Sequence, residues 1–212
     1  MKDKRYVVLA SGRGSNLKSL LEAGLPGECA VVICNRPGAG ALSVAQAHGI
    51  AMVVIDHAQY PSRETFDAAL VEEIERHQPD LILLAGFTRI LTDGFVRHFA
   101  GRMLNIHPSL LPAFPGMATH ALALASGVRI HGCTVHFVTP DLDSGPIVLQ
   151  AAVPVLDGDT EAALAARVLA REHVVYPMAA AWFLKGQLTL DGRRVAYSGP
   201  QSESAWLCSP PA

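Results

Sequence analysis

Charge is scarce in this sequence. Asp, Glu, Lys and Arg make up 17% of its 212 residues and the formal net charge is −2, so it has no electrostatic footprint for nucleic acid or an anionic membrane. Small-molecule partners are expected; nucleic acid and membrane are not. Cysteine is also scarce. Cys29, Cys34, Cys133 and Cys208 lack the close paired spacing of a zinc site, and two lie inside apolar runs where a reduced, buried thiol is ordinary. A reducing, cytoplasmic setting is the expectation. The opening "MKDKRYVVLAS" has no long apolar segment behind its charges and no later run reaches membrane-spanning length, so neither export nor membrane insertion is expected. There are no internal repeats.

What the chain does have is apolar residues, 50% of the total, enough to bury one good core. Short β-branched runs at 5–11, 29–35, 51–56, 80–86 and 102–107 read as buried strands. Between them, 15–24, 40–49, the capped 62–77 and 92–101 carry helical spacing. This alternation predicts an α/β fold built on a parallel sheet with helices on both faces, which binds ligands beyond the carboxyl ends of its strands. After Gly116 the pattern changes. Runs at 132–138 and 145–155 lack a crossover helix between them and predict an antiparallel pair. Residues 160–186 predict a long helix that Pro177 kinks or splits. A hairpin with Asp191-Gly192 at its turn follows, then an aperiodic tail. The expected division is a catalytic domain over 1–190 and a hairpin and tail over 191–212.

Three stretches carry chemistry. "SGRGSN", residues 11–16, joins the first strand to the first helix; its glycines let backbone N–H groups face an anion, and Ser15 or Asn16 is expected to cap a helix whose positive end favours phosphate. No Lys-Ser/Thr pair follows, so it is not a Walker loop, and taken alone it is as well explained as a capped turn. "NIHPSLLPAFPG" ends a strand on Asn105 and His107, whose side chains share a face while Ile106 points to the other. An amide donor beside an imidazole suits acyl-group chemistry, stabilising an oxyanion and delivering a proton. A lone Asn-x-His is more often a pair of satisfied polar residues; the proline-stiffened wall behind this one shifts the balance. In "DLDSGP", residues 141–146, Asp143 by default bonds its own backbone. Facing His107 instead, it would favour the protonated imidazole.

These segments, with "LAGFTRIL", "HGCTVHFVTPDLDSGPIVLQ" and "REHVVYP", resemble the folate-dependent phosphoribosylglycinamide formyltransferase family in order and spacing, from about Arg5 to about Lys185. The resemblance implies a Rossmann-like doubly wound, mainly parallel sheet with antiparallel C-terminal strands, and transfer of a formyl group from 10-formyltetrahydrofolate to the amine of glycinamide ribonucleotide, with no metal. It implies Asn105, His107 and Asp143 as the catalytic trio. Gly12, Arg13, Gly14, Ser15, Asn16 and Leu17 would hold the nucleotide phosphate and Glu172 its ribose. Arg63, Thr88, Arg89, Ile90 and Leu91 would lie on the folate side, with Thr139, Pro140, Asp141, Leu142 and Asp143 walling the pteridine. A cis Leu111-Pro112 bond is a further expectation, because family members turn sharply there.

Two positions depart from the family pattern. Pro140 removes a backbone N–H that a folate contact could use. Leu169 stands where some relatives carry a polar or basic side chain near the phosphate, with Arg13 and Arg171 as the residues that could compensate. Rival readings are a formyltetrahydrofolate deformylase-like hydrolase, which relatives couple to an added regulatory domain, and a tRNA formyltransferase, which needs a basic surface. A non-catalytic folate- or nucleotide-binding protein on the same fold is a third. A metal hydrolase built on His107, His120, His131 and His136 ranks last, since their spacing is no ligand pattern. The sequence leaves monomer or homodimer open.

Overall fold

The computed structural model describes residues 4–200 and the backbone of 208–209. It divides into two compact units, 1–105 and 106–212. In the first, five strands alternate with four helices: β1 (Arg5–Ala10), α1 (Ser15–Glu22), β2 (Glu28–Cys34), α2 (Gly40–Ala47), β3 (Met52–Val54), α3 (Arg63–His77), β4 (Leu81–Leu84), α4 (Asp93–His98) and β5 (Met103–His107), whose last two residues belong to the second unit. The strand order β3-β2-β1-β4-β5 is parallel throughout. Strands this apolar demand cover on both faces. Val7, Val8 and Leu9 of β1 and Leu81 and Leu83 of β4 are fully buried, as are Leu17 and Leu20 of α1 and Phe66, Leu70 and Ile74 of α3. α3 is capped, as expected, by Ser62, which forms a reciprocal box with Thr65.

The second unit holds α5 (Thr119–Ala125), β6 (Ile130–Phe137), β7 (Ile147–Pro154), α6 (Glu161–Leu184), β8 (Leu188–Asp191), β9 (Arg194–Tyr197) and β10 (Cys208–Ser209). β6 and β7 pair antiparallel, so the sheet is mainly parallel with antiparallel C-terminal strands, as expected. The Leu111–Pro112 bond is cis, also as expected.

Four details differ from the sequence reading. Pro177 does not split α6, which runs unbroken over 24 residues; the backbone bond that proline forgoes is offset by burying Val175, Tyr176, Pro177, Ala179 and Ala180 on one stretch. The hairpin turn is Gly192-Arg193 rather than Asp191-Gly192, because Asp191 pairs with Arg194 and the positive φ falls on Gly192. The aperiodic tail contributes β10, antiparallel to β7; the remainder of that expectation, 201–207 and 210–212, lies outside the described residues. α5 has no counterpart in the sequence reading, since "THALALA" alternates with period two and carries no helical signature.

Candidate active site

In the first unit, β1 ends at Ala10 and the chain turns through 11–14 into α1. Gly14 takes φ +84 and serves as the N-cap residue, with no side-chain cap on the helix. This corrects the expectation that Ser15 or Asn16 caps it: the left-handed glycine carries the chain straight into the helix, so Ser15 is already its first residue. The first turn's N–H groups therefore lack the oxygen that a serine or aspartate cap would supply. The loop is pressed against α2. A Cβ on Gly14 would meet the Ala41 Cα at 2.7 Å, and one on Gly40 the Arg13 carbonyl oxygen at 2.9 Å. Gly12 and Arg13 are exposed, Ser15 is half-buried, and Gly14, Asn16 and Leu17 are buried.

The same unit gathers the expected folate-side residues at one end of α3. Arg63 is the first residue of that helix, and the Arg89 guanidinium lies 4.8 Å from the ring centroid of Phe66, three residues on. Thr88 and Ile90 are exposed and Leu91 is half-buried. Asp67, absent from the sequence reading, is 3% exposed and accepts the Thr92 N–H at 2.7 Å. It ties the end of the 88–92 segment to α3.

Asn105 ends the portion of β5 paired with β4, opposite Leu84, and is half-buried. Two residues on, in the second unit, His107 is 5% exposed. Its Nε2 lies 3.0 Å from the Phe114 carbonyl; a carbonyl only accepts, so Nε2 carries the proton. Its Nδ1 lies 3.5 Å from Asp143 Oδ2. Both ring nitrogens face acceptors. Asp143 therefore does not simply fold back on its own loop. Its Oδ2 accepts the Gly116 N–H at 2.8 Å, and its Oδ1 is 3.8 Å from Nε2 of His136. Phe114 (φ 53) and Asp143 (φ 49) both adopt left-handed backbone, a conformation rare outside glycine that collects at functional sites.

Three further histidines surround this pair. His136 is buried, and its Nδ1 donates to the Phe137 carbonyl at 2.9 Å; burial pushes its pKa down despite that carbonyl and Asp143. His131 is 1% exposed. Its Nε2 meets His120 Nδ1 at 3.2 Å and its ring packs edge-on against Phe114, centroids 5.9 Å apart. Burial, with the His120 and His107 charges, lowers its pKa to about 4 against a hydrogen bond to the Pro108 backbone. His120 is lowered chiefly by burial, against Glu161. Among the described residues no group of three or more His, Cys, Asp or Glu is arranged to hold a metal ion.

The proline-rich wall after His107 is fixed by a residue the sequence reading overlooked. The Thr134 hydroxyl donates to the Ser109 carbonyl at 2.7 Å and accepts from the Leu111 N–H at 3.0 Å and from Gln150 Nε2 at 2.9 Å. Gln150 also reaches the Leu111 carbonyl at 2.9 Å, and the Ser109 hydroxyl donates to the Ala113 carbonyl at 2.6 Å. A threonine in β6 and a glutamine in the otherwise apolar β7 were the available signal. Elsewhere in this unit, Glu172 is buried on α6. Pro140, Asp141 and Leu142 are exposed and Thr139 is half-buried, with the Thr139 hydroxyl donating to the Asp141 carbonyl at 3.2 Å.

The family described as formyl transferase matches residues 4–180. The phosphoribosylglycinamide formyltransferase of Escherichia coli K12 is 46% identical over 204 residues, covering 91% of this chain and 96% of that protein. The crystal structure of glycinamide ribonucleotide transformylase 1 from Symbiobacterium toebii superposes with a TM-score of 0.89 at 49% identity, over 92% of this chain and 94% of that one. A more distant likeness is a formyltetrahydrofolate deformylase from Pseudomonas syringae, at 28% identity and TM-score 0.86, over 92% of this chain and 66% of that one.

Proposed function

We propose, from the premise that this chain belongs to the formyl transferase family, that it transfers the formyl group of 10-formyltetrahydrofolate to the amine of 5'-phosphoribosylglycinamide. The products are 5'-phosphoribosyl-N-formylglycinamide and tetrahydrofolate, as purine biosynthesis requires. The carrying observation is the buried pair of His107 and Asp143, set two residues beyond Asn105 at the end of β5. The substrate amine attacks the formyl carbon and a C–N bond forms. The Asn105 amide and the protonated His107 ring stabilise the oxyanion. As the tetrahedral intermediate collapses, the bond to the folate nitrogen breaks and that nitrogen receives a proton from His107, which is made good by the proton that the attacking amine gives up. Asp143 offsets the charge of the ring.

Residues 12–17 hold the nucleotide phosphate on backbone N–H groups at the head of α1, and Glu172 contacts the ribose. Arg63, 88–91 and 139–143 hold the folate, whose formyl derivative is a co-substrate rather than a resident group, and no metal takes part. Residues 1–190 carry the activity, with 191–212 as an appendage. The protein works in the cytoplasm as a monomer or homodimer; no helix among the described residues is long and apolar enough to cross a membrane.

The test is release of tetrahydrofolate from 10-formyltetrahydrofolate with and without 5'-phosphoribosylglycinamide. Release that depends on the nucleotide supports the transferase. Release at the same rate without it would make the protein a hydrolase of the deformylase kind.

A further inference from the structure

Ser11 belongs to neither of the proposed ligand-binding segments, yet it touches both. It is 4% exposed and directly precedes Gly12, where the proposed phosphate loop begins. Its hydroxyl accepts the Thr88 N–H at 2.9 Å and its own N–H donates to the Gly86 carbonyl at 3.2 Å. One residue therefore stitches the root of the phosphate loop to the root of the proposed folate-side segment. The far side of the loop has no room to yield: the Gly12 carbonyl accepts the Ala41 N–H at 3.1 Å, and Gly14 and Gly40 bring the two backbones together where no Cβ fits. The folate-side segment is fixed at its other end by the Asp67–Thr92 bond and the Arg89–Phe66 contact. Each segment is thus braced at its outer end, and Ser11 joins the two at their roots.

We infer that Ser11 is a positioning residue that couples nucleotide binding to folate binding. A ligand that sets the position of one segment sets the backbone at Ser11, and through its hydroxyl the N–H of Thr88. The second ligand then finds its segment already in place and spends less of its binding free energy on placing it. By linkage the effect is reciprocal. A bond of this class supports a coupling of about two- to tenfold in affinity. The inference rests on the segment assignments made above.

The experiment is calorimetric titration of the whole protein with tetrahydrofolate, alone and at saturating 5'-phosphoribosylglycinamide, a pair that cannot react because neither brings a formyl group. In the parent protein the nucleotide should tighten tetrahydrofolate about two- to tenfold, and the reverse titration should give the same factor. Ser11→Ala should bring that factor close to one and Ser11→Thr, which keeps the hydroxyl, should restore it. A merely structural role would weaken both ligands and leave the factor unchanged. If the alanine variant does not fold, Ser11→Cys keeps the bulk with a poor acceptor and takes its place. A parent factor of one, or a factor that survives loss of the hydroxyl, overturns the coupling while leaving the formyl transfer reading intact. Failure of the parent to bind either ligand would instead sink the functional reading.

Discussion

Lowering the pH from 7.5 to 4.5 should destabilise this protein, and His131→Phe should remove a defined share of that loss. His131 has a folded pKa of about 4, below the value near 6.5 of an unfolded chain. Between those values the unfolded state binds more protons, so stability rises with pH across the window. The contribution is fully present above about pH 6.5, declines as the pH falls, and is lost below about pH 4. With the ring 1% exposed, little solvent discount applies, and a separation of about 2.5 units corresponds to about 3 kcal/mol. About 2.5 kcal/mol of that disappears by pH 4.5. His120 and His136 shift in the same direction for the same reason, burial, so the whole protein loses more. Phenylalanine keeps an aromatic ring against Phe114 but cannot titrate; it forfeits the bond to Pro108, about 1 kcal/mol, at every pH. The assay is urea unfolding of both proteins at the two pH values. The parent should lose about 2–3 kcal/mol more than the variant on acidification. Equal losses would mean that the His131 ring is not held neutral by its surroundings.

Thr134→Val, nearly isosteric, strips the wall of its shared hydroxyl and leaves the Leu111 N–H and the Ser109 carbonyl without it; chemical denaturation should show a loss of about 3 kcal/mol or more, and one below about 1 kcal/mol would show that those groups find other partners. Asn105→Ala should lower kcat on the order of a hundredfold with unfolding unchanged, whereas an effect confined to KM would make Asn105 a binding residue. Gly14→Val should weaken 5'-phosphoribosylglycinamide and spare tetrahydrofolate in calorimetry, because a branched residue fits neither the left-handed backbone nor the approach to Ala41; equal weakening would make the loop structural. Asp143→Asn keeps an oxygen for the Gly116 N–H and tolerates positive φ while removing the charge beside His107, so kcat should fall steeply; unaltered kcat would remove Asp143 from the chemistry.

What the sequence displayed of this fold is what periodicity encodes. β1, β4 and β5 bury every side chain or all but one, and β2 its last four; an uninterrupted apolar run is how such a strand appears. α3 announced itself through its capped start at Ser62, because a helix cap is a local interaction. α5 was illegible for the opposite reason: in "THALALA" the alternation of leucine with small alanine suits a strand, and helix formation there is set by surroundings, with Thr119 and Ala123 buried. Pro177 misled for a related reason, since its local cost is real but the packing of α6 outweighs it. In the site, Asn105 and His107 could be read from strand parity, and Asp143 from its turn. Thr134, Gln150, Asp67 and Ser11 could not, because each acts on a partner 16 to 77 residues away, and nothing local to such a residue tells which backbone group it will meet.

The same distance from sequence explains how one carboxylate serves two imidazoles. Asp143 presents Oδ2 to His107 and Oδ1 to His136, so composition alone would allow either ring to be its cation. Both rings are also bonded to carbonyls, His107 to that of Phe114 and His136 to that of Phe137. Burial decides between them, because it drives the His136 pKa down and a charged His107 drives it down further. A buried carboxylate balances one cation; a second would lie in a low-dielectric setting with no countercharge. On the proposed reading the charge falls to His107, the ring that shares a strand face with Asn105. The neutral His136 then fills the other side of the carboxylate without competing for it. A charged His107, an ionised Asp143 and a neutral His136 sum to no net charge, the condition under which buried ions cost least. His120 and His131 remain neutral on the far side of the Phe114 segment at the pH of the reaction. Acidification that charged them would set further positive groups against the wall that positions His107; stability should decline from about pH 6.5, where the unfolded chain takes up protons, while loss of turnover by this route should appear only near pH 4, where the folded His131 ring is protonated.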